Sequence, residues 1–286
     1  MKVSTLGVVP LVAALASALS MAACGDDDSG GATLGEGPYA IVYTGTFAGV
    51  DGRTVDDGKA TFDGLTLTGY TAAGQESDEA PLIGTNTAKD VAGGPLFAVG
   101  RWSGGITEGK FYNVGAAGKM TFAENGGFHY AIGKSSDPIP SSGPATYTIE
   151  SKTAATVADG SQAPGTIGGS LVVNLAGAST KVAFSVTIDI PGSGTYTAES
   201  AGGTADPSQS DVILLGGGGG TAAAGAFTYN GNVTNAGAAC DAGSCAVGVS
   251  GVILGPDAES VVMAVHFFSG AGGSPSSVSG VLAFKK

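Results

Sequence analysis

Residues 180–190 read TKVAFSVTIDI, and their apolar side chains recur at every second position. In an extended chain, one face then carries Val182, Phe184, Val186 and Ile188. The preceding segment, residues 166–175 (TIGGSLVVNL), is separated from it by the short stretch AGAS. Alternation of this kind is typical of a strand that buries one face. The fold is therefore predicted to be built from half-buried strands.

The rest of the chain consists of similar short blocks, and no stretch shows a sustained helical period. The 51 glycines suit tight turns. They disfavour helices, because each glycine inside a helix costs about 1 kcal/mol. Residues 71–94 contain QESDEAP and are predicted as a loop. The predicted strands are residues 39–44, 58–62, 65–70, 96–102, 110–113, 119–122, 128–132, 145–150, 166–175, 181–188, 194–199, 211–215, 225–231, 246–254, 260–268 and 278–284.

A domain boundary is predicted at residues 134–143 (KSSDPIPSSG). Two prolines and small polar residues interrupt a sheet ladder there and suit a link between domains. The first β domain is then residues 38–135 and the second is residues 136–286. A length of about 150 residues is enough for a separate core. Short strands joined by tight turns predict an all-β fold, as a sandwich or an up-and-down barrel.

The first 23 residues are predicted to be an export signal. Lys2 precedes an apolar run at residues 6–19 (LGVVPLVAALASAL), which small residues follow. The tetrapeptide MAAC, ending at Cys24, resembles the lipobox of bacterial lipoproteins, in which the cysteine becomes the lipidated first residue. A soluble secreted protein with a chance cysteine is the alternative. Residues 24–37 are acidic and rich in glycine, which predicts a flexible tether.

The cellular location is predicted from the residue after Cys24, which is Gly25. In lipoproteins of this kind an aspartate at that place signals retention in the inner membrane, so the outer membrane is favoured. Display on the cell surface is predicted, and the periplasmic face is the alternative. The net charge of −12 disfavours nucleic acid and anionic headgroups as partners. Membrane attachment is expected through lipid on Cys24.

Two further cysteines, Cys240 and Cys245, stand in the sequence CDAGSC. In an oxidising compartment they are predicted to form a disulfide that closes a small loop at a hairpin tip. The alternative is a metal-binding or redox pair, which needs further Cys or His close by. No metal or other cofactor is predicted.

Three blocks in the second domain carry a family resemblance. They resemble the barrel domain of transferrin-binding protein B and of similar surface lipoproteins, over residues 138–286 and in the same order along the chain. The matching positions are Pro140, Ser142, Gly143, Ala145 and Tyr147 in the opening block, Gly251, Gly255, Pro256 and Ala258 in a late block, and Phe284, Lys285 and Lys286 at the end.

The resemblance implies a small antiparallel barrel of about eight strands at 136–286, preceded by a handle-like β domain at 38–135. One handle and one barrel make a single lobe, which is expected to act as a monomer. Similar single-lobed surface lipoproteins capture haem-carrying proteins, metal carriers or host regulators. The resemblance therefore implies a partner that is a soluble protein or a small solute.

Four residues of the first domain are candidate ligand contacts. Arg101 and Trp102 are of the types most common at interface hot spots, although the chain's one tryptophan is favoured as a core residue. His129 and Tyr130 could ligate iron. A strand histidine held by hydrogen bonds is the favoured interpretation of His129.

The carboxylates of Asp51, Asp56, Asp57 and Asp63 could offer oxygen ligands to calcium. Their spacing does not follow the regular calcium-loop pattern, and a solvated turn is favoured. No nucleophile, base and orienting group occur in a supporting pattern, so no catalytic residue is predicted and the protein is not expected to be an enzyme. The leading hypothesis is a surface binding lipoprotein whose loops recognise the partner. The alternative is a structural envelope lipoprotein without a ligand.

Overall fold

The computed structural model describes residues 34, 39–47, 50–51, 56–71, 83–84, 87–109, 118–215, 223–238, 240, 245–269 and 277–286. Regular structure in these residues is β, apart from one turn of 3-10 helix at Pro207–Gln209. In the same residues no helix has the length and apolar character needed to cross a membrane. The predicted all-β fold class is confirmed.

In the described residues, eleven strands precede the boundary region. The main sheet has the order β5-β4-β1-β11-β8-β7, and every pairing in it is antiparallel. We call it the N-terminal sheet. Two small sheets, β10-β9-β6 and β2-β3, accompany it. The strands are β1 (Tyr39–Thr44), β2 (Thr46–Phe47), β3 (Val50–Asp51), β4 (Asp56–Asp63), β5 (Thr66–Thr71), β6 (Ile83–Gly84), β7 (Thr87–Gly93), β8 (Phe97–Ser103), β9 (Ile106–Gly109), β10 (Gly118–Thr121) and β11 (Phe128–Gly133).

The remaining strands form the barrel. Eight of them follow the antiparallel order β16-β15-β14-β12-β20-β19-β18-β17, and β13 pairs with β20. A bridge between Thr197 of β16 and Asn235, just after β17, joins the two ends of this order. The predicted count of about eight strands is therefore confirmed. The strands are β12 (Gly143–Lys152), β13 (Thr156–Val157), β14 (Thr166–Leu175), β15 (Lys181–Ile190), β16 (Gly194–Glu199), β17 (Ala226–Asn232), β18 (Cys245–Leu254), β19 (Ser260–Ser269) and β20 (Val278–Lys285).

The alternation in β15 places its apolar residues inside the barrel. Val182, Phe184, Val186 and Ile188 are fully buried, and they belong to one apolar cluster with side chains from the other barrel strands. Thr187 and Asp189 point the other way and are exposed. Period-two patterning thus fills the barrel interior with side chains and leaves a polar outer wall on β14–β16.

A different arrangement holds on β18, β19 and β20, which are buried on both faces. Most of their outward-facing residues are small and apolar, and these pack against the N-terminal sheet. Members of this shared core include Val252, Val262, Ala264, Val281 and Ala283 from the barrel and Ala40, Val42, Phe97, Val99 and Ala131 from the N-terminal sheet. Small side chains allow the two sheets to approach closely, which is why β1, β8 and β11 are also buried throughout.

The loop predicted at residues 71–94 is wrong in part, because β6 and β7 lie within it. Strand β7 (TAKDVAG) shows no alternation, since it is an edge strand whose side chains are only partly buried. A bulge between Lys89 and Ala92 also interrupts its pairing with β8. The strand conformation of this segment is therefore set by backbone pairing with β8, and the pattern of its own side chains does not reveal it.

Two other predicted strands also differ from the structure. Residues 211–215 hold isolated bridges at Ile213 and Leu214 and no continuous strand, so that prediction is wrong. The strand predicted at 110–113 lies outside the described residues, and β9 ends just before it. The predicted link at 134–143 makes contacts of its own, because Ser136 donates its backbone N–H to Ile253 at 2.8 Å. Residues 31–286 form one compact unit, and the domain boundary stays a prediction.

The three blocks that carry the family resemblance meet at one corner of the barrel. The Tyr147 hydroxyl of the opening block donates to the carbonyl of Ala258, in the late block, at 2.7 Å. The chain end reaches the same turn, because Lys286 donates its backbone N–H to Glu259 at 2.9 Å. Ala258 is buried and has a positive φ of 54°, which Tyr147 helps to hold. The residues of these three blocks therefore have a structural role, which is to hold this corner of the barrel together.

Replacing Tyr147 with phenylalanine is expected to lower the free energy of unfolding by about 1–2 kcal/mol, because the Ala258 carbonyl then stays buried without this donor. Burial also raises the pKa of Tyr147 to about 12, so its hydroxyl remains a donor at all ordinary pH values. Tyr229→Phe is the matched control, since its hydroxyl reaches Glu199 at 3.3 Å in an exposed position. Urea titration of the two variants should show the larger loss for Tyr147→Phe, and equal losses would contradict this role of the corner.

Candidate functional site

All four candidate contact residues of the first domain lie in the interior of the protein. Arg101 and Trp102 are each 3% exposed, and His129 and Tyr130 are fully buried. They occupy neighbouring strands β8 and β11, where His129 is the register partner of Arg101. The structure thus brings the four together, although on opposite faces of the sheet. Their role as ligand contacts stays a prediction.

Trp102 and Tyr130 belong to the aromatic core on the sheet face that points away from the barrel. The Trp102 ring stacks on Phe128 with centroids 5.2 Å apart. Both residues are hydrogen-bonded to the backbone of Leu67 in β5. Trp102 donates its Nε1–H to the Leu67 carbonyl at 3.1 Å, and the Leu67 N–H donates to the Tyr130 hydroxyl at 3.1 Å. Burial raises the pKa of Tyr130 to about 12, so the phenol is neutral at physiological pH. Both side chains therefore fasten β5 onto the sheet.

His129 points the other way, towards the barrel. Its Nδ1 lies 2.9 Å from the Thr153 hydroxyl, and its Nε2 lies 2.7 Å from the Thr156 hydroxyl. The pKa of His129 is lowered well below its ordinary value, first by burial and then by the nearby Arg101 and His266. A neutral imidazole with both nitrogens bonded is thus inserted between the sheet and the barrel.

His266 stands at the same interface, on β19 of the barrel. Its Nδ1 lies 3.0 Å from the hydroxyl of Ser279, its register partner on β20, and 3.3 Å from the hydroxyl of Thr44. Thr44 is the register partner of His129 on β1 and donates to Ser279 at 3.1 Å. The two histidines of the chain therefore share one buried polar region. We call it the histidine seam, defined by His129, Thr153, Thr156, Thr44, His266 and Ser279.

Next to the seam, the buried Arg101 forms a partly buried ion pair with Asp90. Arg101 Nε donates to Asp90 Oδ2 at 2.8 Å, and its side chain is 4% exposed against 27% for Asp90. The same carboxylate oxygen accepts the backbone N–H of Ala154, from the segment after β12, at 3.0 Å. Arg101 also donates to the Gly126 carbonyl at 3.1 Å. One carboxylate thus connects β7, β8 and the barrel.

Asp90 holds this position through an unusual backbone conformation. It is a non-glycine residue with a positive φ of 56°, inside the bulge of β7. Such a conformation persists only where surrounding contacts favour it. The bulge turns the Asp90 side chain from the edge of the sheet towards Arg101 and the barrel. Asp90 is therefore a positioning residue of the interface.

The remaining predicted site residues are placed as follows. Cys240 and Cys245 form a disulfide with a Cα–Cα distance of 5.2 Å, at the start of β18. Cys24 lies outside the described residues. Of the acidic cluster, Asp63 is exposed, whereas the side chains of Asp51, Asp56 and Asp57 lie outside the described ones. In the described part of the chain, no three His, Cys, Asp or Glu side chains come together as a metal-binding group.

Sequence reasoning missed the polar partners of the seam and of the ion pair. Thr153 and Thr156 lie three residues apart in KTAATV, where they resemble ordinary strand residues. Asp90 was assigned to a loop, because a bulge leaves no periodic signal. A histidine or arginine within an apolar strand does indicate a buried partner, but the partner's identity depends on how two sheets pack.

These features define a class of protein: a two-sheet β scaffold in which an eight-stranded barrel carries a second sheet on its wall. The two are joined by an apolar core, the histidine seam and the hydrogen bond from Ala154 to Asp90. No family description and no curated protein matches the chain.

Among solved structures, a tryptophan-to-alanine mutant of the vaccine antigen transferrin-binding protein B from Haemophilus parasuis is similar to the chain. The identity is 14% and the TM-score 0.38, over 86% of this chain and 44% of that one. The chain spans less than half the length of that structure.

Proposed function

We propose that the protein is an outer-membrane lipoprotein displayed at the cell surface, which binds a soluble protein through the segments that connect its strands. The observation that carries this proposal is that the apolar surface of the barrel is buried within the protein itself. The barrel interior is filled by its own side chains, and the wall of β18–β20 is covered by the N-terminal sheet. Recognition then falls to connecting segments and to the polar wall, on a scaffold that holds them in place.

The filled barrel also bears on the choice of ligand. Fully buried rings of Phe184, Tyr196, Phe227, Phe267 and Phe284 occupy the interior. A small solute would need to displace such side chains to enter, whereas a soluble protein can bind from outside. The outer wall presents neutral hydroxyl and amide groups together with carboxylates, such as the pair formed by Thr195 and Asp189 at 3.1 Å. A soluble protein partner is therefore favoured, and haem or metal would reach the chain as cargo of that partner.

The membrane anchor is proposed from the sequence. The apolar leader, the MAAC tetrapeptide and the acidic tether support lipidation of Cys24 and a body held away from the bilayer. Acyl chains stabilise membrane binding by about 0.8 kcal/mol per buried methylene group, so two or more chains give stable attachment. A protein segment within the bilayer is then not needed.

The proposal is tested on cells that produce the whole chain. Labelled palmitate should enter the wild type and the Met21→Leu variant, which keeps the lipobox, and should not enter Cys24→Ser. A protease added to intact cells should cleave the anchored protein. Labelling of Cys24→Ser would exclude the anchor. Cleavage only after lysis would place the chain on the periplasmic face.

A second candidate is a structural envelope lipoprotein without a ligand. The burial of Arg101, Trp102, His129 and Tyr130 favours it, because the residues best suited to anchor a partner serve the interior. The two candidates differ in binding. Saturable binding of one soluble protein to cells carrying the wild type, absent from cells without it, would exclude the structural role.

A further inference from the structure

The histidine seam lies where two sheets meet and where the chain places both of its histidines. His129 belongs to the N-terminal sheet, whereas its hydroxyl partners Thr153 and Thr156 belong to the barrel side. His266 belongs to the barrel, and Thr44 reaches it from the N-terminal sheet. Each sheet thus contributes one imidazole that bonds to the other sheet, which makes the contact reciprocal.

Hydrogen-bond directions around His129 favour the neutral ring. Thr153 Oγ1 accepts the backbone N–H of Val281 at 3.1 Å, so its own proton is free to be donated to His129 Nδ1. His129 then carries its proton on Nε2 and donates it to the Thr156 hydroxyl. This tautomer is inferred from the network. A second proton on Nδ1 would require the Thr153 hydroxyl to turn and accept from both His129 and Val281, so protonation changes this contact.

The charges around His129 act in the same direction. Arg101 of β8 is its register partner, and His266 of β19 faces it from the barrel; both disfavour a positive charge on His129. Asp90 of β7 offsets the charge of Arg101 through the ion pair at 2.8 Å. In the described residues His129 is hydrogen-bonded to two hydroxyl groups and to no carboxylate. An imidazolium here would be buried beside a guanidinium and without a counter-ion.

We propose that the histidine seam is a proton-sensitive lock, which holds the N-terminal sheet on the barrel while the buried His129 imidazole is neutral and loosens that hold when the surroundings become acidic. The shared apolar core closes the same interface next to the seam and continues to hold the sheets there, so the loosening is local to the seam. A binding surface that includes segments of both sheets would change shape with pH. The device is independent of which ligand binds.

The direction of the effect follows from proton linkage. The pKa of His129 is depressed in the folded protein, whereas in the unfolded chain it lies near 6.5. Above that pH neither state binds the proton, and the contact is fully stabilising. As the pH falls below about 6.5, only the unfolded state takes up the proton. The unfolding equilibrium constant is then expected to rise about tenfold per pH unit for this one group.

The test uses the lipidated protein in detergent micelles. Urea unfolding between pH 8 and pH 5 is followed through the fluorescence of Trp102, the one tryptophan of the chain, which reports on the N-terminal sheet. Below about pH 6.5 the wild type should show the tenfold rise per unit from this group, and His129→Gln should show a slope smaller by one proton. His266→Gln separates the contribution of the second imidazole. An unchanged slope in His129→Gln would overturn the proposal.

Hydrogen exchange of the wild type gives a second result that requires no variant. After correction for intrinsic rates, amides of β1, β11 and β19 at the interface should exchange faster at pH 5.5 than at pH 7.5, relative to those of β14 and β15. Equal acceleration in all five strands, or no acceleration, would show that the seam does not act as a lock.

Discussion

Asp90→Ala should lower the free energy of unfolding by about 3 kcal/mol, one of the largest effects of a single surface-edge substitution in this protein. The change leaves the guanidinium of Arg101, 4% exposed, without its counter-ion, and removes the acceptor of the Ala154 N–H. Breaking a buried pair costs about 3–5 kcal/mol, and the lower end applies because the Asp90 side chain is partly exposed. Urea unfolding at pH 7.5 measures the loss.

Asp90→Asn is the matched control. Asparagine keeps an oxygen that can accept from Arg101 and from Ala154, and it tolerates the positive φ that Asp90 adopts. Only the charge is lost, so the expected decrease is about 1 kcal/mol, in the range of one hydrogen bond to a charged group. Losses that agree within about 0.5 kcal/mol for the two variants would contradict a role for the acceptor and the backbone in this position.

Gly251→Ala should cost about 3 kcal/mol, although it adds only one methyl group. Gly251 is the register partner of Phe227 across β17 and β18, and a Cβ at this position would overlap the Phe227 ring. That ring is fully buried in the barrel and cannot move aside without disturbing its neighbours. The glycine of the late resemblance block is thus required because an aromatic ring covers it.

Gly168→Ala provides the comparison within the same barrel. Gly168 lies in β14, and a Cβ there would meet no atom within 4 Å. Alanine is expected to stabilise the protein by about 0.5 kcal/mol at this position, because the unfolded chain loses freedom. Thermal and urea unfolding of the two variants should therefore move in opposite directions. A loss at Gly168 as large as that at Gly251 would show that strand glycines matter for a reason other than ring packing.

How far the sequence predicts this fold depends on the kind of contact. The alternation in residues 180–190 predicts β15 and its buried face correctly, because a single strand carries that information. Strands β14 and β16 were predicted with the bounds that the structure shows. The apolar runs of β1 and β11 predict strands as well. Which of their faces meets the barrel is not predictable, since both faces are buried.

The partners in the histidine seam and in the Arg101–Asp90 ion pair could not be predicted from the sequence, for a physical reason. His129 and Thr153 are 24 residues apart, and Thr44 and His266 are 222 residues apart, so no local period connects them. Asp90 acts through a bulge, which breaks the pattern by which strands are recognised. Predictions from periodicity therefore reach individual strands and their faces, whereas polar contacts between sheets require the packed structure.

The double burial of β18–β20 divides the circumference of the barrel into two parts with different tolerance for mutation. On β18–β20 nearly all positions are buried, so few substitutions there are compatible with folding. On β14–β16 every second side chain faces solvent and can change at little cost. Sequence drift should therefore accumulate on one half of the barrel, so that lineages diverge in their polar wall while the half beneath the N-terminal sheet keeps its small apolar residues.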